Sequence, residues 1–315
     1  MRKCVAIVGP TASGKSRIAV EVASLVHAEI ISCDSVQVYR HVDIGSGKIK
    51  EAEMVSSTGY RVPHHMLDVY EPQDDYSVYD YQQDARRVID NLSARHQIPL
   101  ICGGTGLYLR SVIDEYCFSK QIPEKTSLIK SKYQFYLEEH GPEALYFLLQ
   151  EKDPITSQKI HPHNVRRILR ALERSEEEVG QSLRSGLLVP HYAPLMFGLM
   201  LERSVLYSRI EKRVDRMMQD GLLEEVKYLL QNGVDSTHKV MQTLGYRHML
   251  LYLQHEVPLD EAIRLMKRDT RRYAKRQYTW FKADARIQWL SVETPWEEQQ
   301  AIKVIEKEIQ QFFRK

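Results

Sequence analysis

Residues 9–16 read Gly9-Pro10-Thr11-Ala12-Ser13-Gly14-Lys15-Ser16, a complete G-x-x-x-x-G-K-S sequence. It follows the apolar run Cys4-Val5-Ala6-Ile7-Val8 and leads into a helical pattern with Ile18, Ala19, Val22 and Leu25. No other stretch constrains the fold so tightly, because a phosphate-binding loop needs a buried strand before it and a helix after it. Its glycines let backbone N–H groups turn inward on phosphate oxygens, and the helix adds the positive end of its dipole. In such a loop Lys15 reaches a terminal phosphate and the Ser16 hydroxyl ligates Mg²⁺. A phosphorylated ligand therefore binds. Whether it is a nucleotide, and whether its phosphate is transferred or merely leaves, is open at this point.

The first third repeats the strand–helix alternation. Apolar runs at 3–8, 30–33, 66–69 and 99–102 read as parallel strands, with helical stretches at 15–26 and 78–96. This pattern predicts an α/β fold, a parallel sheet covered by helices. Gly103-Gly104-Thr105-Gly106 forms a second glycine-rich turn at a strand's C-terminal end, where open parallel sheets place their ligands. From about residue 119 to 192 the chain reads as helices alone, broken at Gly141-Pro142, Asp153-Pro154, His161-Pro162 and Gly186. An insertion fits that change, dividing the chain into a core of 1–118 and 193–315 and a helical lid of 119–192. Strand character returns at 195–201 and 287–290, separated by helices at 203–231, 240–255 and 258–283 and followed by one at 295–313.

The chain's 315 residues suffice for a full core, and no run approaches a membrane span of about 18 apolar residues. A strand begins almost at the first residue, which leaves no room for a signal peptide and points to the cytoplasm. Cys4, Cys33, Cys102 and Cys117 make no C-x-x-C pair, so reduced buried thiols are expected rather than zinc or disulfides. No histidine spacing fits a metal site, and His64, His65, His161 and His163 read as structural or polar contacts.

Asp34 closes the second strand beside the phosphate loop, where an acid serves as Mg²⁺ partner or general base. The plainer alternative is an Asp that caps the following turn. After it come Val36-Gln37-Val38-Tyr39-Arg40 and Asp43-Ile44-Gly45-Ser46-Gly47-Lys48, side chains suited to gripping a polar planar ligand. Thr105 offers a hydroxyl to a phosphate or reacting group, or else belongs to a simple tight turn. Strand 99–102 ends without an acid, which weakens the case for an ATPase with a standard Walker-B Asp, with Asp34 and Asp68 left as substitutes. On the helix at 204–219, Arg213 suits a departing phosphate or is an ordinary surface cation.

The net charge of +2 conceals a strong local imbalance. Arg264, Arg268, Arg272 and Arg276 form one i,i+4 row, and Lys267, Arg271 and Lys275 the next, interrupted only by Asp269. Tyr273, Tyr278, Trp280 and Phe281 are interleaved or follow. The pattern predicts one broad cationic face for a polyanion, with a solvated face as the alternative.

Together these segments resemble one family, the tRNA dimethylallyltransferases (tRNA isopentenyltransferases), in their bacterial form. The resemblance runs in order through GPTASGKS (9–16), ISCDSVQVYRHVDIGSGK (31–48), PHHMLDV (63–69), YSVYDYQQDA (76–85) and PLICGGTGLYL (99–109). It continues through DPITSQKIHPHNVRRILRALE (153–173), LERSVLYSRIEKRVDRMMQDGLLEEV (201–226), LGYRHM (244–249) and TRRYAKRQYTWF (270–281). The family implies a P-loop NTPase-like core that moves a dimethylallyl group from its diphosphate to the exocyclic amine of the adenosine 3′ to the anticodon. By resemblance, residues 9–16 hold the diphosphate and Mg²⁺, Asp34 is the general base, Thr105 lies beside it, and Arg213 meets the diphosphate. The same resemblance assigns the flipped adenine to Asp34-Ser35-Val36-Gln37. It assigns tRNA contacts to Thr105, to Arg166-Arg167-Ile168-Leu169-Arg170 and to Gln242-Thr243-Leu244-Gly245-Tyr246-Arg247. Lys130 stands where some members carry a contacting arginine, and Arg271, Arg272, Lys275 and Arg276 complete the expected interface with the anticodon stem-loop. A monomer suffices, with no obligate protein partner. The rivals are a small-molecule or nucleotide kinase, which has no need of paired cationic rows, and a non-catalytic RNA-binding switch.

Overall fold

The computed structural model describes residues 1–116, 123–176 and 189–314, so Cys117 and the break at Gly186 lie outside the described residues. Six strands form one sheet: β1 (Lys3–Val8), β2 (Ala28–Cys33), β3 (His64–His65), β4 (Ile98–Gly103), β5 (Ala193–Met200) and β6 (Ile287–Ser291). Their order is β3-β2-β4-β1-β5-β6, and every pairing is parallel. Helices α1 (Lys15–Val26), α2 (Val78–Ala94) and α3 (Gly106–Ile113) make the early crossovers. Next come α4 (Pro123–Lys152), α5 (Pro154–Ser157) and α6 (Val165–Glu176). The remaining helices are α7 (Arg203–Gln219), α8 (Leu222–Gln231), α9 (Tyr246–Leu253), α10 (Leu259–Lys282) and α11 (Pro295–Arg314).

Strands buried on both faces need apolar residues at every position, and β1 shows this. Cys4, Ala6 and Val8 join a core with Tyr81 and Ile89 of α2, Val226 of α8 and Met266 of α10. Val5 and Ile7 join the opposite core with Ile18 and Val22 of α1, Ile210 of α7 and Ile305 of α11. Two compact units result: Met1–Glu115 with Val189–Lys315, and Tyr116–Leu188. The second has its own core of Tyr133, Leu145, Leu149, Ile168 and Leu172. Among the described residues, no helix is long and apolar enough to cross a membrane.

One expectation needs correction. The edge strand is His64–His65, not 66–69, because Met66 and Asp68 adopt left-handed φ values of 63° and 54° and cannot continue a ladder. The helix expected at 204–219 is α7, and Gly221, at φ 101°, separates it from α8.

Candidate active site

Three strand ends meet in register. Gly103 pairs with Val8 on one side and with Cys33 on the other, so the loops after β1, β2 and β4 leave the sheet together. Residues 9–16, Asp34 and Thr105 thereby share the C-terminal edge, the ligand edge of an open parallel sheet. A Cβ at residue 103 would lie 2.1 Å from the Cys33 carbonyl oxygen. Glycine stands here because no side chain fits, and that explains the missing acid.

The phosphate loop is preformed. Ala12 and Gly14 hold positive φ values of 63° and 86°, which swing the chain into α1. That helix has no side-chain cap and no acid in its first turn. By contrast α2 fills its own N-terminus, with Ser77 and Asp80 hydrogen-bonded reciprocally. Uncapped amides and a positive dipole end favour an anion. The Ser13 hydroxyl is buried without a partner, and Lys15 Nζ rests 3.3 Å from the Pro10 carbonyl oxygen. Burial draws the Lys15 ammonium below its ordinary pKa, Arg213 adds to that effect, and Cys102 and Asp34 oppose it.

Asp34 caps the turn that follows it, the plainer of its two readings. Its Oδ1 accepts from the Val36 N–H at 2.9 Å, an Asx turn that fixes the carboxylate. No described residue donates to Oδ2. The Thr105 hydroxyl, although at the N-cap of α3, makes no capping bond and is buried without a partner. Tyr273 of α10 faces the same space: burial raises its pKa, the Asp34 charge adds to that rise, and the Thr105 side chain opposes it. Arg213 is no ordinary surface cation. It donates to the Gly47 carbonyl at 3.3 Å, and burial depresses its pKa while Asp34 supports the charged form.

The segment after Asp34 is tied down from both sides. Gln37 accepts from Ser32 Oγ at 3.0 Å and donates to the Gly47 carbonyl at 3.3 Å. Lys48, with its side chain nearly buried, meets Asp43, Asp68 and the Tyr39 carbonyl. The backbone N–H groups of Asp43, Ile44 and Gly45 all donate to the Glu225 carboxylate, as does the Tyr246 hydroxyl at 2.6 Å. Sequence reasoning missed Glu225, whose place in α8 gives no local sign of a partner so distant in the chain. It also missed Gln277. The buried Gln277 amide accepts from the Thr11 N–H at 2.8 Å and donates to the Gly104 carbonyl at 2.9 Å, linking the two glycine loops.

The expected RNA contacts divide by exposure. In the second unit Lys130, Arg166, Arg167 and Arg170 are exposed, Leu169 is half-buried and Ile168 belongs to the core. In the first unit Gln242 and Arg247 are exposed, and Thr243 and Leu244 are half-buried. Gly245 and Tyr246 are buried, so they shape the segment from within and present no surface. The single cationic face on α10 also needs correction. Lys267 and Arg271 turn to α7 and pair with Asp215 and Glu211 at 2.6 and 2.5 Å, because α10 packs on that helix. Arg264 is held by Glu261, while Arg247, His248, Arg268 and Arg272 converge on Asp269. Among the described residues Lys275 and Arg276 make no ion pair.

This edge has the form of a P-loop fold: residues 9–16, Asp34 and Thr105 share the strand C-termini, and β4 ends in Gly103 without a carboxylate. Residues 37–284 match the family model described as IPP transferase, and residues 2–62 match the one described as Isopentenyl transferase. The chain belongs to the IPP transferase family. It is 45% identical, over 91% of each chain, to the tRNA dimethylallyltransferase of Carboxydothermus hydrogenoformans. It is 40% identical to that of Bacillus licheniformis, over 92% of this chain and 91% of the relative. The crystal structure of the full-length tRNA isopentenylpyrophosphate transferase of Bacillus halodurans superposes with a TM-score of 0.71 at 37% identity, covering 100% of both chains. A eukaryotic dimethylallyltransferase captured acting on tRNA superposes with a TM-score of 0.77 at 25% identity, over 99% of this chain and 80% of its own.

Proposed function

We propose that this chain transfers the dimethylallyl group of dimethylallyl diphosphate to the exocyclic amine of the adenosine 3′ to the anticodon of tRNA. The products are isopentenyladenosine and diphosphate. The observation that carries this reading is the meeting of Asp34, Thr105 and the phosphate loop on three adjacent strand ends, with Lys15 and Arg213 beside them. An aromatic amine is a poor nucleophile, so the reaction needs a base at nitrogen and a good leaving group at carbon. Asp34 Oδ2 takes the amine proton as the N–C bond forms and the C–O bond to diphosphate breaks. The developing charge on the leaving oxygens falls to the loop N–H groups, Lys15 and Arg213. The buried Thr105 hydroxyl, beside Tyr273, bonds the incoming base.

Mg²⁺ fits this site in a particular way. Among the described residues no group of three His, Cys, Asp or Glu side chains could hold a metal ion. Mg²⁺ needs no such cage, since it keeps several waters and binds through substrate phosphates plus one or two protein oxygens. The exposed Ser16 hydroxyl at the head of α1 is the candidate oxygen. When bound, Mg²⁺ neutralises leaving-group charge. The adenine leaves its stack to reach Asp34, as in other base-modifying enzymes. With a tRNA substrate, we place the reaction in the cytoplasm.

The test incubates dimethylallyl diphosphate, Mg²⁺ and undermodified tRNA with wild type and Asp34→Ala. Wild type forms isopentenyladenosine, and the variant is slower by about 10²–10⁴-fold. Equal rates would remove Asp34 as the base, and no product from either protein would remove the function.

A further inference from the structure

Glu224 and Glu225 both stand in the first turn of α8, where the helix dipole favours an acid. Glu224 is exposed and meets that preference. Glu225 is half-buried, and its carboxylate faces a different segment. Its Oε2 accepts from the N–H groups of Asp43 and Ile44 at 2.9 and 2.8 Å. Its Oε1 accepts from the Gly45 N–H at 2.9 Å and from the Tyr246 hydroxyl at 2.6 Å. Three consecutive backbone donors make a nest around the anion, and with the phenol they fill the four acceptor positions of a carboxylate. The held backbone then runs on to the reacting edge. A Cβ at residue 45 would overlap the Tyr246 ring and one at residue 47 the Arg213 guanidinium, so two glycines let the loop pass between them. The Gly47 carbonyl accepts from Arg213 and from the Gln37 amide, each at 3.3 Å. One carbonyl thus aims both the cation proposed for the diphosphate and the amide proposed for the adenine.

We propose that Glu225 is a positioning residue for the transfer: through residues 43–47 it sets the Gly47 carbonyl, and with it Arg213 and Gln37. The inference rests on the reading of this chain as a dimethylallyltransferase acting on tRNA. Glu225 acts on no reacting atom; it works through two groups that share one acceptor. A loop with two glycines left to itself would let that acceptor wander. Misplacement of a catalytic group by about 1 Å costs about a hundredfold in rate. The nest removes this freedom, because an acceptor-only anion holds three N–H groups in one orientation. Glutamine in its place would keep one acceptor oxygen and turn an NH2 group on two of the four donors, so charge and geometry are lost together.

A double-mutant cycle tests this with wild type, Glu225→Gln, Arg213→Ala and the pair. It is read by steady-state transfer to an unmodified anticodon stem-loop transcript and by calorimetry with inorganic diphosphate. Glu225→Gln lowers kcat/KM by about ten- to hundredfold and weakens diphosphate binding by about tenfold. In the Arg213→Ala background the same change costs less than about threefold in diphosphate affinity, because the group it positions is gone. A purely structural Glu225 would lower the melting temperature and move both backgrounds alike. Such additivity would overturn the proposal, as would a Glu225→Gln protein that binds diphosphate within about twofold of wild type. Should Glu225→Gln melt below the assay temperature, Tyr246→Phe carries the same cycle, since it removes one donor and leaves the carboxylate in its nest. Its loss of about threefold likewise disappears without Arg213, and additivity there overturns the proposal. If wild type makes no isopentenyladenosine, the enzymatic reading fails instead, and the diphosphate calorimetry still decides the role of Glu225.

Discussion

Gln277 sets the distance between the two glycine loops with one amide, whose oxygen takes the Thr11 N–H and whose nitrogen serves the Gly104 carbonyl. Replacement by Glu keeps the acceptor, removes the donor, and buries a negative charge beside the phosphate loop. Loss of a buried hydrogen-bond partner costs about 1–3 kcal/mol. Gln277→Glu is therefore expected to lower kcat/KM for dimethylallyl diphosphate by about ten- to hundredfold. Gln277→Ala lowers it less, because it adds no charge. The loss appears mainly in the KM for the diphosphate, while a role in folding alone would move the melting temperature and spare that KM. Residues 9–16, Asp34 and Thr105 were legible in the sequence because each sits in a short local pattern. Gln277 was not, since its partners lie 266 and 173 residues away and only the register of three strand ends brings them together.

At the scale of the element, α10 shows how far a periodic pattern can be read. Spacing predicted its helix and its two basic rows, and both exist. It did not reveal that Asp269, an apparent interruption, is the hub for Arg247, His248, Arg268 and Arg272. Charge partners on other helices are invisible to a local reading. Burial works to raise the Asp269 pKa, but hydrogen bonds from Arg268 and His248 prevail and hold it at about 2, against an ordinary 3.8. A carboxylate depressed in this way stabilises the fold above its ordinary value, and that contribution disappears as pH falls from 3.8 toward about 2. Asp269→Asn is accordingly less stable than wild type at neutral pH, and the gap between the two narrows over that acid range. Thermal melts from neutral pH to about pH 3 follow this, and a gap independent of pH would show that the hub does not act through its charge.

For the whole molecule, the βαβ order predicted a parallel sheet with its ligand edge at the strand C-termini, and the sheet has that form. The edge strand was misplaced because left-handed backbone at Met66 and Asp68 leaves no trace in hydropathy. We propose that the first unit folds without the second. Each has its own core, and the Glu115 N–H donates to the Val189 carbonyl at 2.7 Å, so the cut ends already adjoin. Replacing residues 116–188 by a short flexible linker is expected to leave a cooperative melt and diphosphate binding intact, while transfer to tRNA is lost with Lys130 and Arg166. Calorimetry with diphosphate, set beside the transfer assay, measures both.

Gly103 carries a consequence for the protein's evolutionary options. Its missing side chain lies where an acid would have to stand to direct water at a bound phosphate, and the Cys33 carbonyl already fills that space. No single substitution at this position can restore a hydrolytic carboxylate without first prising β2 from β4. Loss of fold therefore comes before any gain of phosphatase chemistry. A carboxylate at this strand end is excluded by the packing of the sheet itself, a constraint that point mutation can break but not convert.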